Sequence, residues 1–184
     1  MNIIVKPHSS NHCYCRPDTT WEKEGRDLYI PDDVNKAMWT PVAFARISKA
    51  GKFVSGKFVS RYFDAIGFGA LVYSDDESIA FSSCLDHTSL LPMPLYNPAI
   101  FENEENIFRI NAGGKEVAFN TCKEVSEALE EGICKASERV SLRIGDMVAV
   151  ELSPMDVLAE RDKGEVCFKA EFGENILFDL KVIF

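Results

Sequence analysis

Apolar residues along the chain fall into runs of two kinds. "VAFARIS", "GFGALVY" and "DMVAVEL" are short, almost unbroken apolar stretches bounded by turn signals such as the Pro-Asp-Asp of "DLYIPDD" and the break at "KAG", and they predict strands. The stretches "GEVCFKAEF" and "NILFDLKVIF" predict a closing hairpin turned at Gly173, and "NIFRINAGGKEVAF" predicts a second hairpin turned through Gly113 and Gly114. Helical spacing is clearest after Asn120. Thr121 and Glu124 form a capping box, and Val125, Ala128, Leu129, Ile133 and Ala136 mark one face as far as about Arg139. "GKFVSGKFVS", residues 51–60, repeats five residues only twice, too little for a repeat architecture. It predicts a turn and a short helix capped by Ser55, with Phe58, Tyr62 and Ile66, or Val59 and Phe63, at helical spacing. Residues 74–104 are irregular, with "SDDES", the three-proline "LLPMPLYNP" and the acidic "ENEEN". The sum is a β-rich α+β chain with one or two helices. "MWTPVAFARI", residues 38–47, adds a difficulty: Pro41 cannot donate to a ladder, so a bulge or a sheet edge is expected there.

Composition narrows the class. With 184 residues, 46% of them hydrophobic, and 13 Phe, residues 1–184 form a single domain around one substantial core. A formal charge of −9 disfavours nucleic acid and anionic membranes as partners. No stretch approaches the roughly 20 apolar residues of a membrane span. Six scattered Cys and a start, "MNIIVKPHSS", without the apolar core of a signal peptide point to free thiols in a reducing cytoplasm.

Three clusters carry potential chemistry. His8, His12, Cys13 and Cys15 are zinc-ligand types within eight residues, but no second ligand pair follows, and on a strand Cys13 and Cys15 share one face with Tyr14 on the other. Asp75, Asp76 and Glu77 could offer oxygens to Mg²⁺ or Ca²⁺; without a spaced loop signature they read as a solvated acidic turn. Asp86, His87 and Ser89 hold the residue types of a hydrolase triad, although sequence neighbours rarely face one another and no G-x-S-x-G elbow occurs. There is no Gly-rich phosphate loop.

Longer segments resemble one family. "CYCRPDTTWEKEGRDLYIPDD", residues 13–33, resembles the "F-x-K-P-D-T-A-L-L-x-x-G-x-x-x-x-I-P-D" opening of the fumarylacetoacetate hydrolase family, in particular its short bacterial members. Residues 45–69 resemble its "R-I-x-K-x-G-K" segment, and "FRINAGGKEV", the capped helix, "IGDMVAV" and "GENILFDLKV" follow its order of hairpin, helix and two strands. The resemblance spans nearly the whole chain. It implies a mixed β-roll with packed sheets and a homodimer.

It also implies a site. Family enzymes hold Mg²⁺ or Mn²⁺ with two carboxylates of a "Y-E-x-E-L" strand and an Asp one strand later, and the metal chelates a 2-oxo-acid-like substrate for hydrolysis, decarboxylation or isomerisation. In this chain Trp39 takes the aromatic position, Thr40 and Val42 the two Glu positions, and Leu71 the Asp position. The family Lys falls near Ser83 when Asp86 takes the Asp of "K-x-F-D", and the "T-G-T-P" substrate loop becomes "VELSP", residues 150–154. The "N-Y-x-x-H-x-x-E" lid is missing from a shortened N-terminal region; His8 and His12 lie there without its spacing. The expectation is therefore a protein with no bound cofactor and no catalytic residues that binds a partner protein or a small 2-oxo acid, or regulates an active homologue; whether Trp39, Val42 and Leu71 fill the emptied pocket depends on their rotamers and stays open in the sequence. The competing expectation is a metal enzyme with relocated ligands among Asp75, Asp76, Glu77, Asp86 and His87.

Overall fold

In a computed structural model of the chain, residues 1–102, 106–120 and 123–184 are described; Thr121, the expected cap, lies outside them. Among the described residues thirteen strands occur, beginning with β1 (Ile3–Lys6), β2 (Tyr14–Arg16), β3 (Trp21–Glu22), β4 (Leu28–Tyr29), β5 (Lys36–Ile47), β6 (Phe63–Ser74) and β7 (Ser89–Leu90). They continue as β8 (Ile107–Ala112), β9 (Lys115–Asn120), β10 (Met147–Glu151), β11 (Asp156–Glu160), β12 (Val166–Phe172) and β13 (Asn175–Ile183). A four-residue helix, α1 (Ile79–Ser82), follows β6, and the long helix α2 (Lys123–Arg139) follows β9.

Two sheets result, and the two kinds of apolar run separate them. The large sheet has the order β2-β1-β10-β5-β6-β7-β3, with β11 paired to β5 as well. β5, β6 and β10 are apolar almost throughout because both faces of this sheet are covered. One face packs on α2, through Val125, Leu129, Ile133 and Ala136, and on the small sheet β4-β13-β12-β8-β9. There the strands β8, β12 and β13 alternate between buried and exposed positions, since only one side meets the core. The other face lines the inside of a roll. β2 and β3 stand at opposite ends of the large sheet, yet residues 17–20 join them directly, so the sheet curls round a second core of Ile3, Val5, Val42, Phe44, Leu71, Tyr73, Leu91, Met147 and Ala149.

Several expectations are corrected. The helix predicted after Ser55 is a 3-10 turn, Gly56–Arg61, in which Ser55 makes no side-chain capping bond, and Ile66 belongs to β6. Pairing of β6 with β5 over eleven residue pairs outweighs the local helical spacing. β5 begins at Lys36, well before "VAFARIS", while "DLYIPDD" contributes only Leu28–Tyr29.

Pro41 lies neither at a bulge nor at an edge. It pairs with Ala70 in unbroken register on one side. On the other side β10 ends opposite Val42 and β11 begins opposite Trp39, so Pro41 faces the crossover between two strands. Its carbonyl accepts from the Leu152 N–H at 2.9 Å. Because N and O of a strand residue point the same way, the missing N–H faces a position where no ladder partner is due.

Close approach of β6 and β7 depends on Gly69, where an added Cβ would meet the Leu90 carbonyl oxygen at 2.0 Å. Gly69→Ala is expected to lower unfolding free energy by about 3 kcal/mol. Gly56→Ala, whose Cβ meets nothing within 4 Å, is expected to change it by less than about 0.5 kcal/mol. Urea denaturation of both variants checks this contrast.

Candidate functional site

Period two along the strands decides which residues enter the roll. Thr40 and Val42 of β5 face inward, and Trp39 faces the other way. Trp39 packs in the outer core, edge-on to Phe168 at 5.2 Å, and takes no part in filling the roll. Leu71 pairs directly with Thr40, and Glu151 directly with Val42. Thr40, Val42 and Leu71 are fully buried, and the Thr40 hydroxyl donates to the Ser153 carbonyl at 2.8 Å.

Beside them runs a polar chain. Tyr14 and Arg16 alternate with Cys15 on β2 and point inward, opposite Val5 and Ile3. The Tyr73 hydroxyl donates to Glu151 Oε1 at 2.7 Å, and the Tyr14 hydroxyl, 2.6 Å away, completes the chain by donating to Tyr73. Glu151 Oε2 accepts from the His8 N–H at 3.0 Å. The Arg16 guanidinium lies over the Tyr73 ring, 4.7 Å from its centre, and Nη2 donates to the Val72 carbonyl at 2.8 Å and to Thr88 Oγ1 at 2.6 Å. Arg16 is only 2% exposed, yet its Nε and Nη1 find no hydrogen-bond partner among the described residues. Such a desolvated cation is stabilised by the two hydrogen bonds from Nη2 together with the π face beneath it.

The other candidates lie elsewhere. Asp75, Asp76 and Glu77 are exposed on the turn after β6, where they line a cavity of about 420 Å³ with Met38, Tyr73 and Met155, and Asp76 accepts from the Ser74 hydroxyl. Asp86 and His87 line a different cavity of about 370 Å³ with Tyr29. His87 Nδ1 faces Glu22 at 3.4 Å, while Ser89 bonds to Thr20 at 2.7 Å, so no triad forms. Ser83 is buried, its hydroxyl donating to the Ile79 carbonyl at 2.5 Å. Cys15 is exposed, on the sheet face opposite Tyr14, and burial pushes the thiols of Cys13 and Cys15 up, away from the metal-binding thiolate. Among the described residues no three His, Cys, Asp or Glu side chains come together to hold a metal ion.

The sequence matches no protein-family profile and no curated protein. Solved structures do match. A Yersinia pestis protein assigned to the fumarylacetoacetate hydrolase family superposes with a TM-score of 0.78 at 14% identity, over 99% of this chain and 92% of that one. This is the fumarylacetoacetate hydrolase fold. Fumarylpyruvate hydrolase from Pseudomonas aeruginosa, solved with Mn²⁺ and pyruvate, superposes with a TM-score of 0.73 at 12% identity, over 100% and 88% of the two chains. 5-Carboxymethyl-2-hydroxymuconate delta-isomerase from Mycobacterium smegmatis gives 0.75 at 11% identity, over 99% and 78%.

A divalent cation such as the Mn²⁺ in the Pseudomonas aeruginosa structure does not suit the residues gathered in this roll. Hard divalent cations need several converging oxygens. Thr40, Val42 and Leu71 supply one hydroxyl, already donating to a carbonyl, and two hydrocarbons. The adjacent carboxylate, Glu151, accepts from a hydroxyl and an amide.

The sequence did not single out Arg16, Tyr14, Tyr73 or Glu151 as members of a site, although Tyr14 was placed on a strand face of its own and Glu151 lies in the "VELSP" segment. The available signals were weak. Tyr14 and Arg16 stand at alternate positions of one short strand, and Glu151 ends an apolar run; nothing local shows that residues more than fifty apart meet.

Burial pushes the Tyr14 hydroxyl up to about 12, partly offset by the Arg16 guanidinium. Burial also holds the Tyr73 hydroxyl well above 10. An unfolded chain releases these protons near pH 10, while the folded chain keeps them. The associated stability is complete below pH 10 and declines as pH rises from 10 towards 12. Urea midpoints measured across this window are expected to fall more steeply for the native chain than for Tyr14→Phe. Parallel decline would place Tyr14 outside the buried chain.

Proposed function

We propose that this protein is a non-catalytic member of the fumarylacetoacetate hydrolase fold, a homodimer that acts by binding: a regulator or partner of an active homologue, or a holder of a small 2-oxo acid. One observation carries the proposal. The strand positions that the family resemblance makes metal ligands meet inside the roll as Thr40, Val42 and Leu71, with Glu151 beside them already hydrogen-bonded on both oxygens. Family chemistry needs a cation to polarise an oxo group and stabilise enolate charge. Hydrocarbon at two of three ligand positions removes the means of holding it.

The substitution pattern is coherent physically. Three carboxylates left without a metal would repel one another and resist burial. Val and Leu in their place bury roughly 1.5–3 kcal/mol each of apolar side chain.

Calorimetric titration of the chelator-treated protein with Mg²⁺ and Mn²⁺, then with oxalate as a 2-oxo-acid mimic in the presence of either metal, tests the proposal. No heat of metal binding and no metal-dependent oxalate binding are expected; oxalate heat that is independent of metal identifies the protein as a binder of small acids. Stoichiometric micromolar binding of either metal contradicts the proposal and points to ligands rebuilt from Asp75, Asp76 or Asp86.

A further inference from the structure

Net charge sets the whole molecule against anionic surfaces, but its distribution does not. Residues 46–63 hold five of the 20 Lys and Arg and none of the 29 Asp and Glu, so the remaining 15 cations share the rest of the chain with every acid. Within this segment Arg46 is paired with Asp64. Lys49, Lys52, Lys57 and Arg61 form no ion pair among the described residues; all four lie near aromatic rings, and Lys52 Nζ also donates to the Arg139 carbonyl at 2.6 Å. Lys49 is 5.1 Å from the Tyr62 ring centre, Lys52 is 5.3 Å from that of Phe53, and Lys57 and Arg61 are 5.5 and 5.1 Å from that of Phe58.

Two of these rings are displayed. Phe53 is 72% exposed and Phe58 42%. Phe53 stands at a φ of 53°, a left-handed conformation that is strained for a bulky residue. Neighbouring bonds hold it there: its N–H donates to the Ser137 carbonyl at 3.0 Å, and the Val54 N–H to Ser137 Oγ at 2.8 Å. Gly51 and Leu142 exchange backbone hydrogen bonds of 3.1 and 2.8 Å, which ties the segment to the next loop, where Ile144 is 73% exposed. A strained aromatic residue held in water by fixed bonds, among cations without acidic partners, is an expense to the fold that internal packing does not explain.

We propose that this surface, built on Lys49–Tyr62 with Ile144 beside it, docks the protein on an anionic lipid bilayer. Phe53, Phe58 and Ile144 enter the headgroup region, and Lys49, Lys52, Lys57 and Arg61 meet lipid phosphates while their stems cover the rings. Charge complementarity selects the partner: screened attraction extends about 10 Å at 0.1 M salt, so the local surface counts and the total charge does not. The degree to which Phe53 projects favours a planar surface over a bound peptide, which would need a cleft. Thr40 and Ile47 lie seven residues apart on β5, roughly 23 Å at about 3.3 Å per residue, so docking leaves the polar chain of the roll clear of the bilayer. No helix among the described residues is long and apolar enough to cross it.

Co-sedimentation of the full chain with phosphatidylcholine vesicles, with and without phosphatidylglycerol, tests the proposal at low and high salt. Partition onto the phosphatidylglycerol vesicles at low salt is expected, with release at high salt and none onto phosphatidylcholine alone. The double variant Lys49→Glu/Lys57→Glu is expected to weaken partition at least about a hundredfold and Phe53→Ala about tenfold, with circular dichroism unchanged because these side chains are exposed. Three results overturn the proposal: no partition of the native chain, partition that the double charge reversal leaves intact, or equal partition onto neutral vesicles. Self-association that the same reversal abolishes, seen without vesicles, assigns the surface to a second copy of the chain and overturns it too.

Discussion

Arg16 brings a guanidinium into a mostly apolar roll, beside the hydroxyls of Tyr14 and Tyr73 and the Glu151 carboxylate, and the arrangement of the roll interior follows from keeping it there. A buried cation without a partner is costly. Three features offset that cost: the face of Tyr73 beneath it, the Val72 carbonyl and the Thr88 hydroxyl at its tip. Each comes from a different part of the closure. Arg16 lies on β2 at one end of the large sheet, Val72 and Tyr73 on β6 near the other, and Thr88 just before β7. The guanidinium therefore fastens across the roll what residues 17–20 join along the chain. Through the Tyr73 hydroxyl the same arrangement reaches Glu151, so the buried base and the buried acid are linked by one aromatic side chain.

A metal-dependent member of this fold solves the opposite electrostatic problem, in which several carboxylates converge and a dication balances them. Here Val42 and Leu71, at positions that the family resemblance would make ligands, are hydrocarbon, and the neighbouring acid, Glu151, is satisfied by a hydroxyl and a backbone amide. The strand that opens "MWTPVAFARI" is thus a core strand on both faces. Its proline is accommodated because β10 and β11 part at the residue where a ladder donor is absent.

How much of this was legible in the sequence depends on the range of the interactions. Hairpins turned at Gly113, Gly114 and Gly173 were readable because glycine at positive φ is a local requirement. So was the apolar face of α2. The likeness of "CYCRPDTT" and its companion segments to one family led to the right fold. The rest was hidden by non-local pairing. Phe58, Tyr62 and Ile66 carry helical spacing, yet β5 draws Ile66 into a strand. β11 is short and pairs with a strand more than a hundred residues away, and β1, paired locally with β2, has its other partner as distant. Whether Trp39 helps to fill the pocket stayed open in the sequence, and strand alternation sends it to the opposite core. Glu151 and Arg16 were not singled out as members of a site because a buried ionisable group can be recognised only from the burial and partners around it.

Anomalous scattering at the manganese edge from crystals soaked in Mn²⁺ and oxalate tests the central claim most directly. The account predicts no manganese peak in the roll beside Thr40, Val42, Leu71 and Glu151, with the bond from Tyr73 to Glu151 intact. A manganese peak liganded by Glu151, with the Tyr73 hydroxyl displaced from it, would contradict the account and return the protein to the metal-dependent members of its fold.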